Sequence, residues 1–168
     1  IVGPSGCGKT TLLNVIAGLL KDYEGTLTVQ KPIGYMFQKD QLLEWRSIYK
    51  NVILGLEIKQ QINEENLARV NAMLKRYGLY EFRNAYPRQL SGGMRQRAAL
   101  VRTLALSPKL LLLDEPFSAL DAQTRLQVSN DIGSIIKQEH ISTVMVTHDL
   151  QEAVSMADKV FVLSHRPG

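Results

Sequence analysis

Residues 3–10 constrain the fold of this chain more than any other feature of its sequence. They read Gly-Pro-Ser-Gly-Cys-Gly-Lys-Thr and match the pattern G-x-x-x-x-G-K-[ST]. Glycines in such a run let the backbone curl until several N–H groups point at one anion. A helix that starts there directs its positive end at the same place. The pattern therefore predicts a strand, a phosphate-binding turn and a helix, in that order.

Two side chains of this turn add a charge and a metal ligand. Lys9 is suited to the outer phosphates of a nucleotide, and the Thr10 hydroxyl is suited to Mg²⁺. The predicted nucleotide contacts are Gly3, Pro4, Ser5, Gly6, Cys7, Gly8, Lys9, Thr10 and Thr11. A glycine-rich turn without a ligand is the alternative. Because only Ile1 and Val2 precede the turn, we expect the strand ahead of it to be truncated in this sequence.

Strand-like and helix-like segments alternate along the chain, which predicts an α/β domain with a mostly parallel sheet. Predicted strands cover residues 26–29, 33–37, 110–113, 144–147 and 160–163. Predicted helices follow the turn, Asn63, Ser91 and Asp121, and a last one lies around residues 150–157. The apolar faces assigned to four of them are Leu12, Val15, Ile16 and Leu19; Leu67, Val70, Leu74 and Tyr77; Leu126, Ile132, Ile135 and Ile136; and Leu150, Ala153, Val154 and Ala157.

We expect one domain, in which residues 1–39 and 108–168 form the core and residues 40–107 an inserted helical sub-domain. One cysteine, Cys7, excludes an intrachain disulfide framework and fits a reducing compartment. The net charge of +4 is too small to argue for nucleic acid. No apolar run approaches the roughly 18 residues of a membrane span, and no signal peptide opens the sequence.

Two adjacent acids follow a predicted buried strand of four leucines. A carboxylate at the end of such a strand is costly unless it meets a cation, so we assign Asp114 to Mg²⁺ beside the phosphate-binding turn. Glu115 comes one residue later, before Pro116 ends the strand, and its carboxylate can polarise a water molecule for attack on a terminal phosphate. The alternative, a strand end that simply meets solvent, is weakened by the turn upstream.

A second helix start suited to an anion lies at Ser91-Gly92-Gly93. Ser91 occupies an N-cap position, and the two glycines leave the first backbone amides uncovered. The phosphates of a single nucleotide already fill the first turn. The residues alone leave open whether this second end meets the same ATP or an ATP held by another chain.

Six motifs, in order and spacing, resemble those of the ATP-binding cassette (ABC) ATPases. They are the phosphate loop, Gln38, Ser91-Gly92-Gly93, Asp114-Glu115, the run Ser118-Ala-Leu-Asp121, and His148. The resemblance covers essentially the whole chain. It implies a RecA-like P-loop NTPase fold, ATP and Mg²⁺ as cofactors, and a head-to-tail dimer in which the Ser-Gly-Gly motif of one copy caps the γ-phosphate on the other.

The resemblance also implies roles for individual residues. Gln38 would contact Mg²⁺ and the attacking water and lie where a membrane partner docks. Asp121 would link the two sites across the dimer. His148 would hydrogen-bond the γ-phosphate and hold Glu115 in line. The implied catalytic residues are thus Glu115, His148 and Gln38, and the implied metal ligands are Thr10, Gln38 and Asp114.

The chain departs from the family pattern at three places. Met94 stands where glutamine usually follows the two glycines, and we expect activity to survive this change. The aromatic residue on which adenine stacks in the family would lie ahead of residue 1. The last helices of a typical domain would follow residue 168. We therefore expect the sequence to be a piece of a longer domain.

Two stretches resemble importers of nitrate, sulfonates and taurine, namely residues 37–46 and 162–168. This implies the ATPase of an importer for a small anion, peripheral on the cytoplasmic face of the inner membrane, with a separate transmembrane permease. Glu44 departs from that pattern, where proline is usual. Leu42, Leu43 and Trp45 would form the groove for a permease helix, or would instead pack inside the helical sub-domain.

Other functional classes fit the sequence less well. A soluble ABC ATPase acting on DNA or ribosomes shares every motif, but usually carries long insertions, which the compact span between Gln38 and Leu90 leaves no room for. A P-loop kinase or GTPase would lack Ser91-Gly92-Gly93 and His148. A non-hydrolysing regulatory module would be expected to lose Glu115 or His148. An exporter is commonly fused to membrane spans.

Overall fold

A parallel sheet of three strands forms the frame of the structure, a computed structural model that describes residues 1–164. The strands are β1 (Ile33–Met36), β2 (Leu110–Asp114) and β3 (Ser142–Val146), and they lie in the order β1-β2-β3. The central strand β2 carries the run of leucines, of which Leu111, Leu112 and Leu113 are buried and Leu110 is half-buried. Both neighbours shield its backbone, and helices cover its faces, so an uninterrupted apolar sequence fits there. The predicted α/β fold with a parallel sheet is confirmed.

Seven α-helices and two short 3-10 turns connect the strands within residues 1–164. They are α1 (Lys9–Ala17), α2 (Ile48–Val52), α3 (Leu54–Ile58), α4 (Glu64–Arg76), α5 (Gly92–Leu104), α6 (Ala122–Glu139) and α7 (Leu150–Met156), with 3-10 turns at Tyr80–Phe82 and Pro87–Gln89. Side chains of Asn63, Ser91 and Asp121 cap α4, α5 and α6 by accepting a backbone N–H from the first turn. These three helix starts agree with the sequence prediction.

The two faces of β2 support two apolar clusters. Leu111 and Leu113 face a large cluster that also contains α2 to α6, whereas Leu112 faces a small one with Leu13 of α1 and Val146 of β3. Side chains alternate along a strand, so one run of leucines serves both clusters. As a result α1 lies on one side of the sheet and α5 on the other. The division into a core and a helical sub-domain stays a prediction.

Val2 continues the sheet beyond β3. It forms parallel bridges with Thr147 on one side and with Val162 on the other. Its N–H donates to the carbonyl of Phe161, and its carbonyl accepts from Leu163. The backbone that enters the phosphate loop is therefore in strand geometry, as predicted. The predicted strand at 160–163 is reduced to this bridge, and residues 165–168 of the importer-like ending lie outside the described residues.

Several sequence expectations were wrong. Residues 26–29 are not a strand, because no neighbouring strand within the described residues pairs with them and unpaired backbone groups do not hold a strand. In α1 the fully buried residue is Leu13, while the predicted Leu12 and Leu19 are exposed. Likewise Leu126, Leu150 and Val154 are exposed. Apolar spacing identifies a helix, but not which side of it the sheet covers.

No helix in the described part of the chain is both long enough and apolar enough to cross a membrane.

Candidate active site

The phosphate loop is closed around its own lysine. Gly6 and Gly8 have φ of 81° and 105°, a region that glycine adopts without steric cost. The Lys9 side chain is only 5% exposed, and its Nζ donates to the carbonyls of Gly3 at 2.8 Å and Pro4 at 3.0 Å. A Cβ on Gly3 would lie 2.8 Å from the carbonyl oxygen of Leu163, so this position also requires glycine. The loop thus holds a buried cation at the start of α1.

A cleft of about 340 Å³ opens beside this lysine. Its lining combines the loop with the residues that end β1 and β2, namely Ser5, Gly6, Gly8, Lys9, Thr10, Thr11, Gln38, Asp114 and Glu115. Nine residues predicted from three separate motifs therefore meet at one place. Parallel strands end at the same edge of a sheet, which explains why motifs 100 residues apart in sequence converge here.

Asp114 ends β2 at the floor of the cleft. Its Oδ1 accepts a hydrogen bond from the Thr10 hydroxyl at 3.0 Å, and the residue is 6% exposed. Burial raises the pKa of Asp114 above its ordinary value, and the neighbouring Glu115 carboxylate adds to this, while hydrogen bonds from Thr10 and Tyr35 and the charge of Lys9 act in the opposite direction. The ionised carboxylate is therefore short of positive charge at this position.

Tyr35 and Asn14 belong to the site although the sequence analysis did not select them. The Tyr35 hydroxyl lies 3.1 Å from Asn14 Oδ1 and 3.4 Å from Asp114 Oδ2. Burial, together with the Asp114 carboxylate, raises the pKa of Tyr35 to about 12, which keeps it a hydrogen-bond donor. The available signal was a tyrosine in the strand that leads to Gln38, since adjacent parallel strands place their side chains side by side.

Glu115 adopts a backbone conformation that is unusual for its residue type. Its φ is 44°, in the left-handed region that costs a non-glycine residue about 1–2 kcal/mol, and its N–H donates to the carbonyl of Val146 at 2.9 Å. This turn directs the carboxylate into the cleft, where Oε1 lies 3.9 Å from Lys9 Nζ and Oε2 lies 3.1 Å from His148 Nδ1. Glu115 and His148 are thereby brought together.

The turn that carries His148 is held from below by a buried carboxylate. Thr147 donates its hydroxyl proton to Glu152 Oε2 at 2.6 Å and accepts the N–H of Asp149 at 3.0 Å. Glu152 is 8% exposed, and burial raises its pKa. Asp149 also caps α7 and lies 3.7 Å from Arg125 of α6. Both flanks of His148 are therefore fixed, although the imidazole itself is half exposed.

Ser91, Gly92 and Gly93 lie elsewhere. Ser91 caps α5 by accepting the N–H of Met94 at 3.3 Å, and Ser91 and Gly92 are exposed. None of the three is among the described residues that line the cleft. A Cβ on Gly92 would lie 2.9 Å from Leu120 Cδ2 and a Cβ on Gly93 would lie 2.6 Å from Val128 Cγ2, so both glycines also let α5 pack closely against the start of α6.

The remaining predicted residues lie at the surface. Asp121 accepts the N–H of Thr124, which lowers the pKa of its carboxyl, and its side chain is exposed. Gln38 lines the cleft and is exposed as well. Of the residues considered for a partner groove, Trp45 is 75% exposed, whereas Leu42 is 6% exposed and belongs to the large apolar cluster. Leu42 is therefore a core residue and not part of such a groove.

Known proteins resemble this chain in sequence and in fold. The family described as “ABC transporter” matches residues 1–118. A solved structure of an ABC transporter of metal-chelate type, in an inward-facing conformation, superimposes with a TM-score of 0.83 at 29% identity. It covers 97% of this chain, which spans 67% of that one.

Curated relatives match over nearly the full length of this chain, which spans about two thirds of theirs. The ABC transporter ATP-binding protein YtlC of Bacillus subtilis is 50% identical over 99% of this chain and 67% of its own length. A taurine import ATP-binding protein of Yersinia pestis is 43% identical over 100% and 69% of the two lengths. An aliphatic sulfonates import ATP-binding protein of Xanthomonas axonopodis is 41% identical over 100% and 70%.

Proposed function

The chain belongs to the ABC transporter family, in which it is an ATPase domain, and from that premise we propose that it powers import of a small anion such as nitrate, a sulfonate or taurine through a separate permease. The observation that carries the catalytic part is the contact of Glu115 with both Lys9 and His148 at the mouth of the cleft. The importer part is supported by the taurine and sulfonate import relatives.

Lys9 is the main phosphate contact in this proposal. Its present partners are two carbonyls of its own loop and, at 3.9 Å, one oxygen of Glu115. A phosphate oxygen is a better partner for a buried ammonium group than neutral carbonyls, because both partners are then charged and attract each other strongly at low dielectric constant. Residues 3–11 then surround the β- and γ-phosphates of ATP, with the backbone N–H groups of the loop and the start of α1 as donors.

The residues near Asp114 fit Mg²⁺. The Thr10 hydroxyl and Asp114 already touch, Gln38 lines the same cleft, and the raised pKa of Asp114 marks a carboxylate that a cation would stabilise. Among residues 1–164 no three His, Cys, Asp or Glu side chains form a metal cluster. This pattern suits Mg²⁺, which in nucleotide sites uses one or two protein oxygens and the substrate phosphates. When bound, the ion would neutralise charge on the phosphates.

Glu115 accepts a proton from the attacking water, and Gln38 helps to orient that water. His148 serves two acceptors, since its Nδ1 lies 3.1 Å from Glu115 and its other nitrogen is available to the γ-phosphate. His148 would then lie between the Glu115 carboxylate and the phosphate and hold both in place. The left-handed backbone of Glu115 keeps the carboxylate in place before substrate arrives.

The Ser91 end acts on a nucleotide that a second copy holds. Its amides lie outside the cleft of their own chain, and α5 has no acidic residue in its first turn that would compete with an anion. A head-to-tail dimer brings Ser91, Gly92 and Gly93 to the phosphates on the partner, and exposed Asp121 lies next to this junction. Two ATP molecules are then enclosed between two chains, and hydrolysis reopens the dimer.

Opening and closing would rock a permease at the cytoplasmic face of the inner membrane, where the domain binds peripherally. Trp45, seven residues after Gln38, is 75% exposed, more than Phe37 at 45%, and it is a natural contact for a permease helix. In the complete protein, Trp45→Ala should reduce stimulation of ATP hydrolysis by the permease while leaving basal hydrolysis unchanged. Unchanged stimulation would remove Trp45 from the docking surface.

The deciding experiment isolates the complete, tagged protein from its own membranes and identifies co-purifying chains by mass spectrometry. A polytopic membrane protein in equal amount supports the importer, and its binding-protein partner is then screened against nitrate, taurine and alkyl sulfonates. A soluble partner, ribosomes or DNA would leave the ATPase chemistry standing and remove the importer assignment. Basal ATP hydrolysis by the purified protein is the separate test of the catalytic part.

A further inference from the structure

The segment that follows Gln38 is fastened to α5 by two arginines of that helix. Arg95 donates from Nε to Asp40 Oδ2 at 2.9 Å and from Nη2 to Asp40 Oδ1 at 3.3 Å, and Nη2 also reaches Glu44 Oε1 at 2.9 Å. Arg102 donates to the backbone carbonyls of Asp40 and Gln41, both at 2.6 Å. Positions seven apart on a helix share one face, so both arginines act on the same side of α5.

These contacts hold the backbone of the loop in one conformation. Gln41 has a left-handed φ of 51°, and Asp40 Oδ1 accepts the N–H of Leu42 at 3.0 Å, which closes a tight turn. The arginine fork matches the geometry of the Asp40 carboxylate with two hydrogen bonds. The side chains of Arg95 and Asp40 are 28% and 18% exposed, less than that of Glu44 at 51%. Asp40 is the stronger of the two acidic anchors.

Two residues with proposed functions flank the segment 40–44 that these arginines hold. Gln38, two residues before Asp40, lines the nucleotide cleft, and Trp45, directly after Glu44, projects into solvent. Arg95 itself lies in the first turn of α5, four residues after Ser91. One side chain thus connects the end that carries Ser91 with the loop that carries Gln38. Glu44, which departs from the importer pattern, supplies one of the connections.

We propose that Arg95 is a positioning residue that sets the place of Gln38 relative to the Ser91 end of α5 by clamping Asp40 and Glu44. The inference rests on the proposed ATPase function of the same cleft. Arg95 lies outside the cleft lining and need not touch ATP; it acts through the loop. Loss of the clamp releases the Asp40 and Glu44 side chains from the Ser91 end of α5 and leaves the loop held by Arg102 alone, so that Gln38 shifts while the phosphate loop stays intact.

The test measures steady-state ATP hydrolysis by the complete protein with Arg95→Gln, alone and combined with Gln38→Ala. We expect kcat to fall about tenfold, on the scale of a misplaced catalytic group, and KM for MgATP to change less than about twofold because Lys9 is untouched. The melting temperature should change by less than about 3 °C, since partly exposed ion pairs contribute little. In the Gln38→Ala background, Arg95→Gln should cause no further loss.

Arg76→Gln is the matched control, because it removes an arginine from another ion pair, with Glu139 at 3.1 Å, and should leave kcat unchanged. Should Arg95→Gln fail to fold, Asp40→Asn and Glu44→Gln break the clamp from the other side, and Asp40→Asn should have the larger effect. Losses that multiply with Gln38→Ala, or an unchanged kcat, would overturn the inference. Absence of hydrolysis in the unmodified protein would instead refute the proposed function itself.

Discussion

Two helices of this chain begin at glycine-rich segments, and the difference between them suggests how the site is divided. At α1 the preceding Gly8 is left-handed, no side chain caps the helix, and the first residue is the buried Lys9. At α5 the Ser91 hydroxyl caps the helix, and Ser91 and Gly92 lie in the open. The first start combines with Asp114 and Glu115 of the same chain. The second lies outside the lining of that cleft, and α5 begins Gly92-Gly93-Met94, without a lysine.

The glycines of the two segments also serve different physical ends. In the phosphate loop Gly8 has open space where a Cβ would be and is required by its φ of 105°. In α5 the backbone is helical, and Gly93 is required by the approach of Val128. In the proposed site, the first segment lets backbone N–H groups converge on a ligand, and the second packs closely and leaves an exposed helix end. This contrast fits the proposed composite site between two copies.

Removal of the Glu115 carboxylate, the proposed catalytic base, should produce the largest effect, and it changes only the site that begins at α1. Glu115→Gln in the complete protein should lower turnover about 10²- to 10⁴-fold, because the amide cannot accept the proton of water. ATP binding should persist, since Lys9 and the loop are unchanged, and ATP should accumulate a dimer visible by light scattering. Near-normal turnover would show that Glu115 does not play this role.

A mixing experiment asks whether the two helix starts serve one site from two chains. Lys9→Ala removes the ammonium group proposed to bind the phosphates, and Ser91→Asp places a negative charge at the start of α5. Each variant alone should therefore hydrolyse ATP in a single turnover about two orders of magnitude less than the unmodified protein. In an equimolar mixture, half of the dimers contain one copy of each variant. Such a mixed dimer has an intact Lys9 facing an intact Ser91 at one of its two nucleotide sites. The mixture should recover about a quarter of the normal amplitude. No recovery from two folded variants would place both ends on the same nucleotide within one chain.

The packing role of the second segment predicts a change in stability. A methyl group on Gly93 would lie 2.6 Å from Val128 Cγ2, and overpacking of this kind costs about 1–3 kcal/mol. The higher helix propensity of alanine offsets about 1 kcal/mol of this cost, so Gly93→Ala should lower the free energy of unfolding by up to about 2 kcal/mol in urea denaturation. Gly133→Ala in α6 is the control: its Cβ would meet Met156 at 3.6 Å, and it should stabilise. Equal stability of the two variants would contradict the packing argument.

The parts of the fold that could be predicted from sequence follow local rules. Asn63, Ser91 and Asp121 each cap a helix within three residues of themselves, and the leucines of β2 need only their own strand to indicate burial. The phosphate loop, Asp114 and Glu115 could be predicted because the residues next to them in sequence indicate their chemical role. The loop has its glycines and Lys9, and the two acids directly follow an apolar strand. The edge of a parallel sheet then brings them together without further information.

The parts that could not be predicted depend on contacts between distant residues. Arg95 and Asp40 are 55 positions apart, and the residues next to each of them in sequence do not indicate that the two form an ion pair. Tyr35 reaches Asp114 only because β1 and β2 pair in a particular register. Residues 26–29 have strand-like composition and yet form no strand, since pairing requires a neighbour. Exposure of Leu126 and Val154 likewise depends on what covers a helix, which its own periodicity does not state.

The stability contributions of the buried Asp114 and the exposed Asp121 should depend on pH with opposite sign. This is the smallest effect on stability that we expect. Burial raises the pKa of Asp114, so the folded state resists its ionisation, and the stability cost is present at neutral pH and disappears below the unfolded pKa of about 4. Asp114→Asn should therefore stabilise the nucleotide-free protein at pH 7, and the gain should vanish near pH 3. It should abolish magnesium-dependent hydrolysis.

The exposed counterpart is Asp121, the N-cap of α6. The hydrogen bond from the Thr124 N–H lowers the pKa of its carboxyl, so its contribution to stability is present above the unfolded pKa and is lost as pH falls through the folded one. Asp121→Asn should give no gain at pH 7, because asparagine caps a helix without the charge. Thermal melts of both variants from pH 3 to 8 check the pair. A gain in stability from Asp121→Asn, or no gain from Asp114→Asn, would mean that the buried Asp114 is not the carboxylate that destabilises the nucleotide-free fold.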